Sequence, residues 1–226
     1  YTSENVSLFP AMITTILLVA LTLLVSTPIG VFTGFYLVEY AKKGNKLVDL
    51  VRIATETLSG IPSIVYGLFG MLFFVIRLGF QYSILAGTLT ASIMVLPLII
   101  RSTEEALLSV DDSLREGSFG LGAGKLRTIF KIVLPVAMPG ILSGVILSIG
   151  RVVGETAALM FTLGTATKIP NGLLSSGRTL SLHMYLLSTE GMHVNESYAT
   201  GVILLIIVLL INALSIYLGN KLTKGR

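Results

Sequence analysis

Two ionisable residues stand inside an apolar stretch of this chain, Arg151 and Glu155, in the run Gly150-Arg151-Val152-Val153-Gly154-Glu155-Thr156-Ala157. An arginine in hydrocarbon costs at least about 2.5–3.5 kcal/mol on insertion scales, so it must face a partner or a polar path. Residues four apart on a helix share a face, one turn apart, where these two charges can pair. Two readings stay open. The pair is a self-neutralising glue between helices, or the guanidinium lines an anion path, its planar fork of donors suiting phosphate geometry. In the second reading Glu155 holds Arg151 and weakens its grip, since a conducting site must release what it binds. Thr156 offers a hydroxyl beside them. A second polar set, Ser63 and Tyr66, follows Gly60 and Pro62 at the start of another apolar stretch. A helix start with a hydroxyl nearby makes an anion contact, and proline there is equally an ordinary helix initiator.

Other chemistry is poorly supported. The chain has no cysteine, which removes disulfides, thiolate metal sites and iron–sulfur clusters. His183 and His193, ten residues apart in a polar segment, make a poor metal pair. Gly120-Leu121-Gly122-Ala123-Gly124-Lys125 looks like a phosphate-cradling loop, but the flanking positions that need glycine and a hydroxyl hold Phe119 and Leu126. Glu104, Glu105, Asp111 and Asp112 form an acidic cluster that a solvated helix face explains. A membrane-embedded enzyme acting on phospholipid would need such carboxylates at the interface, and it stands as a rival reading.

The elements that must position these residues follow from composition. Of 226 residues, 53% are hydrophobic and 12% charged, with mean hydropathy +0.87. Soluble domains carry about 25% charged residues, so a soluble enzyme and a disordered chain are both excluded. An all-α integral membrane protein is expected, as a single transmembrane domain over 1–226. Its apolar spans lie at about 9–36, 61–76, 83–100, 138–163 and 198–218, close to the roughly 20 residues that a spanning helix needs. Tyr36, Tyr40, Tyr82, Tyr198 and Tyr217 fall at span ends, where amphipathic rings favour the headgroups. Arg77 sits at the outer end of the second span, as an interface anchor or an attractor of anions. Arg151 lies roughly 16 Å along the helix from Gly140 at 1.5 Å per residue, near the middle of a core about 30 Å thick.

Of 16 Lys and Arg, twelve fall on one side: Lys42, Lys43, Lys46, Arg52, then Arg101, Arg115, Lys125, Arg127, Lys131, then Lys221, Lys224, Arg226. Arg77, Lys168 and Arg178 fall on the other. Cations mark cytoplasmic segments, so the C-terminus is expected inside and the N-terminus outside. Since Tyr1 is no initiator, one more helix is expected ahead of it, making six in the intact protein. Residues 45–58 alternate apolar and charged positions at helical spacing, which predicts an amphipathic helix at the interface. The polar segment 165–197 is expected as an external loop. Residues 101–135 predict a short helix, a glycine break and a second amphipathic helix ending at Leu134-Pro135. Such a unit suits docking into a partner's groove, and a plain connecting loop is the alternative.

That segment carries a resemblance. Membrane subunits of bacterial ABC importers share a loop of the form EAA, three residues, G, nine residues, I, one residue, LP. Glu116, Gly122, Ile132, Leu134 and Pro135 fall at that spacing, with Gly117 and Ser118 standing for the two alanines. Gly60-Ile61-Pro62-Ser63-Ile64-Val65-Tyr66-Gly67-Leu68-Phe69-Gly70 and Arg151-Val152-Val153-Gly154-Glu155-Thr156-Ala157 resemble the phosphate importer permeases, the PstA branch more than PstC. Ala158 replaces a proline common in that family. The resemblance implies a type I ABC importer permease fold with a cytoplasmic coupling helix, in the bacterial inner membrane. It implies transport of inorganic phosphate, with another oxyanion such as sulfate or molybdate as alternative. The path would run by Arg151, Glu155, Thr156, Ser63 and Tyr66. The implied partners are a homologous PstC-like permease, two PstB-like ATPases holding ATP and magnesium, and a PstS-like phosphate-binding protein. This chain would bind the bilayer and no nucleic acid, hold no cofactor or metal, and do no catalysis of its own.

Overall fold

The computed structural model describes residues 7–41, 44–191 and 193–224. Lys42, Lys43 and Arg226, among the cations counted above, lie outside them. Helices make up all the regular structure of the described residues. α1 (Phe9–Tyr40) starts with Pro10 in its first turn, where a missing N–H costs nothing. Its last residues widen into a π turn, closed by the Ala41 N–H donating to the Tyr36 carbonyl at 2.9 Å. α2 (Lys46–Ser59) is capped by Asn45, which accepts the Leu47 N–H at 3.0 Å. It carries its apolar side outward: Leu47, Leu50 and Ile53 are exposed. α3 (Ser63–Arg77) leaves α2 at 105°. α4 (Ile84–Leu108), capped by Ser83, is followed by α5 (Asp112–Gly120), capped by Asp111. Then come α6 (Lys125–Gly154), the short α7 (Ala157–Met160), α8 (Leu180–Glu190) and α9 (Val194–Lys224).

Among the described residues, four helices are long and apolar enough to cross a membrane, and a fifth span arises if the bent pair α2–α3 counts as one. α4 is the hub: 67% of its apolar stretch is buried within the chain, against 6% for α9 at the edge. Lipid gives helices no hydrophobic reason to associate, so small residues that let backbones approach closely decide the packing. Gly34 of α1 lies against Thr103 of α4, and Gly144 of α6 against Ser102 on another side of the same helix. Leu18, Met94, Val95, Ile99, Val152, Leu159 and Leu163 fill the space between these helices.

Three expectations give way. The apolar run 138–163 is not one helix. α6 stops at Gly154, and Glu155 is extended (φ −73°, ψ 128°), so Arg151 and Glu155 do not stand a turn apart on a shared face. The segment 165–197 is not simply an external loop, because α8 lies within it and Leu180, Ser181, Leu182 and His183 are fully buried. The second helix of 101–135 does not end at Leu134-Pro135 but runs on to Gly154. A π turn over Ile129–Val133 precedes the proline, with the Leu134 N–H donating to the Ile129 carbonyl. Pro135, which has no N–H to offer, then continues the rod without a break.

Candidate functional site

Two interrupted helices meet where the polar residues of the sequence converge. The first interruption is the bend between α2 and α3. Tyr66 is buried at 4% exposure, and its hydroxyl donates to the Leu58 carbonyl at 2.6 Å, tying the first turns of α3 to the end of α2. Ser63, at the start of α3, stands one turn from Tyr66 on the same face. Pro62 supplies no side-chain cap, so the first N–H groups of α3 are left to other acceptors.

The second interruption lies between α6 and α7. Arg151 is in the last turn of α6, half-buried, and among the described residues it makes no ion pair. Val152, the residue after Arg151, shares one buried cluster with Tyr66 and Ala158, which puts both signature segments in one neighbourhood. Glu155 is engaged by the backbone instead: its Oε1 accepts the Ala158 N–H at 2.9 Å, capping α7. Its carbonyl, freed by the end of α6, accepts the Ser181 hydroxyl at 2.6 Å. The carboxylate therefore fixes the shape of the break. Thr156 is half-buried, and among the described residues its hydroxyl has no hydrogen bond.

The interruptions are pressed together by Gly67. A Cβ placed there would stand 2.7 Å from the Cα of Ala158 and 3.2 Å from the Ala157 carbonyl oxygen. Only a residue without a side chain permits that approach. The arrangement sets irregular backbone, hydroxyls and one guanidinium at a helix break, where membrane transporters commonly hold ions and small solutes.

The second candidate surface is at the far end of α4. α5 and the start of α6 form a hairpin turned at Gly122, which takes φ +79°. Between them opens a cavity of about 470 Å³ lined by Leu114, Gly117, Ser118, Leu121, Gly122 and Ile132, among others. Glu116 is exposed beside it, and Leu121 is 91% exposed. The Ser118 and Thr128 hydroxyls bond at 2.8 Å and hold the two arms. Leu134 packs with Val133 and Ala137 against Leu107 and Val110, and half-buried Pro135 follows it into the rod.

Three positioning residues escape a reading of the sequence alone. Ser181 holds Glu155, and Thr15 accepts the Leu180 N–H at 2.9 Å. Both contacts depend on α8 folding back among the spans. The signal was a capping residue, Thr179, ahead of Leu180 and Leu182. The third is Arg115, which binds Glu39 of α1 from α5.

Comparisons with known proteins bear on the family and the fold. The family described as "Binding-protein-dependent transport system inner membrane component" matches residues 26–225. The probable ABC transporter permease protein YqgI of Bacillus subtilis is 37% identical over 220 residues, covering 90% of this chain and 74% of that protein. The phosphate transport system permease protein PstA 1 of Mycobacterium tuberculosis is 36% identical over 89% of this chain and 66% of its own length. PstA of Mycobacterium leprae is 42% identical over 74% of this chain and 54% of its own length. The chain thus spans between about half and three quarters of these relatives. Among solved structures, the inward-facing MetNI methionine ABC transporter superposes with a TM-score of 0.74 at 21% identity, over 97% of this chain and 94% of that one. An alginate-importing bacterial ABC transporter gives 0.72 at 17% identity, over 97% and 80%. At such identities the likeness is one of fold, that of the type I ABC importer permeases. A sequence match over most of the chain and a shared helical architecture lead to one conclusion: this chain belongs to the family of binding-protein-dependent transport system inner membrane components.

Proposed function

We propose that this chain is a permease subunit of an ATP-driven importer of inorganic phosphate, forming half of the translocation path. The observation that carries the reading is Arg151. Because Glu155 is engaged by the Ala158 N–H, the guanidinium keeps its donors for a passing anion, with the Ser63, Tyr66 and Thr156 hydroxyls around the same break. Physical chemistry takes this to an anion, and the relatives named as phosphate transport permeases narrow it to phosphate. The hairpin around Gly122 is the docking surface for a separate ATPase, with Glu116, Gly117 and Ser118 at its edge and Ile132 in its cleft. ATP and magnesium belong to that partner, and this chain holds no cofactor. A homologous permease supplies the other half of the path, a second ATPase docks on it, and a binding protein delivers the substrate from outside. The C-terminus faces the cytoplasm with the hairpin.

The test is uptake of radiolabelled phosphate by the complex purified from its own membrane and placed in vesicles. Arg151→Ala is expected to abolish uptake with assembly intact. Arg151→Lys, which keeps the charge but loses the planar fork, is expected to fall between. Normal uptake by Arg151→Ala sinks the path reading, and equal competition by sulfate or molybdate moves the substrate to another oxyanion.

A further inference from the structure

Arg115 takes no part in the path, yet its guanidinium joins three helices. From α5 it donates through Nε and Nη2 to Glu39 Oε1 at 3.2 and 3.1 Å. Nη1 reaches the Val110 carbonyl at 2.7 Å and Asp112 at 2.9 Å, and Nη2 the Leu107 carbonyl at 2.8 Å. The side chains of Arg115 and Glu39 are only 14% and 9% exposed. Removing Arg115 from so enclosed a pair strands the Glu39 charge, whereas Arg115 without Glu39 keeps Asp112. The neighbouring residue of α1 is gripped from the other arm of the hairpin, where the Lys125 ammonium lies 4.7 Å from the Tyr40 ring centroid. Both contacts fall on the π turn that ends α1, a feature that recurs at functional sites in helices. At its other end α1 carries Thr15, which accepts the Leu180 N–H, and the next residue, Ser181, holds the carbonyl of Glu155.

We infer that the Glu39–Arg115 pair is the link by which movement of the α5 hairpin reaches α1 and, through Thr15 and α8, the helix break beside Arg151. Both residues are positioning residues. The inference rests on the reading above that the hairpin receives the ATPase's motion, and it names the route that motion takes. The route is a run of packed elements and hydrogen bonds, and coupling evidence must establish it.

The experiment uses the complete complex in vesicles, with ATP hydrolysis and phosphate uptake measured on the same preparation. Glu39→Gln leaves the bonds of Arg115 to Leu107 and Val110 in place. It is expected to lower uptake per ATP about tenfold, within the 5- to 150-fold span of typical allosteric couplings, while hydrolysis stays within about twofold. Arg115→Gln should do the same, and the double variant no worse than either, because members of one link are not additive. Unchanged uptake per ATP in Glu39→Gln overturns the link, as does an additive loss in the double. Failure of Glu39→Gln to assemble makes the pair structural and also overturns it. A second readout needs no substrate. With a non-hydrolysable ATP analogue bound, amide exchange over residues 180–183 should change in the parent complex and not in Glu39→Gln. If the parent complex moves no phosphate but shows that change, the phosphate reading fails and the link stands. If exchange changes equally in both, the link fails.

Discussion

Replacing Gly67 by alanine tests whether the two interrupted helices touch. The new Cβ would lie 2.7 Å from the Ala158 Cα, whereas ordinary contact begins near 3.4 Å, so the backbones must part by about 0.7 Å (3.4 − 2.7). The obstruction is main chain, which cannot rotate aside as a flexible side chain would. Overpacking of this kind costs about 1–3 kcal/mol. The displacement also exceeds the roughly 0.5 Å tolerance within which a working site must be held. The assay is twofold: the thermal midpoint of the assembled complex in detergent, and its phosphate uptake in vesicles. Gly67→Ala is expected to assemble, to unfold at lower temperature and to lose uptake about tenfold or more. Gly172→Ala, where nothing lies within 4 Å of the new Cβ, is the control and should match the parent. If Gly67→Ala matches the parent in both measurements, α3 and α7 do not meet as described, and the shared site of Ser63, Tyr66 and Arg151 goes with them.

Two further outcomes follow from local hydrogen bonds. Tyr66→Phe removes the hydroxyl that donates to the Leu58 carbonyl, which keeps the Ile61 N–H at 3.2 Å, so the loss at the α2–α3 bend should be about 0.5–1.5 kcal/mol; an unchanged thermal midpoint would show the bend to be held otherwise. The Ser113 hydroxyl and N–H both donate to the Asp111 carboxylate and hold its pKa below the ordinary 3.8. A depressed carboxylate stabilises the fold above its unfolded pKa and stops doing so as pH falls through the folded one. The cap of α5 should therefore be fully present across neutral pH and weaken only below 3.8. Amide exchange at the start of α5, corrected for intrinsic rate, checks this; a change near neutral pH would contradict it, and Asp111→Ala should speed exchange throughout.

The spans were legible because apolar runs bounded by tyrosines and cations report the bilayer directly. The α5 hairpin was legible through the spacing of Glu116, Gly122 and Ile132. The end of α6 was not. Residues 138–163 stay apolar across the break, and the groups that stabilise it come from elsewhere: Ser181 from α8 and Gly67 from α3. A charged pair four apart reads as a helical pair only while the helix continues, and a carboxylate with a main-chain N–H nearer to hand ends it. α8 was misread for a related reason. The polar residues at its start and just ahead of it, Arg178, Thr179, Ser181 and His183, look solvated in a sequence, yet they are buried among the helices, where polar groups are costly unless partnered.

The hydrogen bond from Ser181 to the Glu155 carbonyl has a consequence for how the protein is made. The two residues are 26 apart in the chain. At a synthesis rate of about 5–20 residues per second, Ser181 emerges roughly one to five seconds after Glu155. During that interval the carbonyl at the break has no lasting partner inside the chain, so the stretch around it has reason to remain a straight helix or to keep to water. The kinked form then becomes available only once α8 has been synthesised and has docked onto Thr15 of a span inserted long before. The helix break after Arg151 is thus among the last parts of the chain to take its final shape.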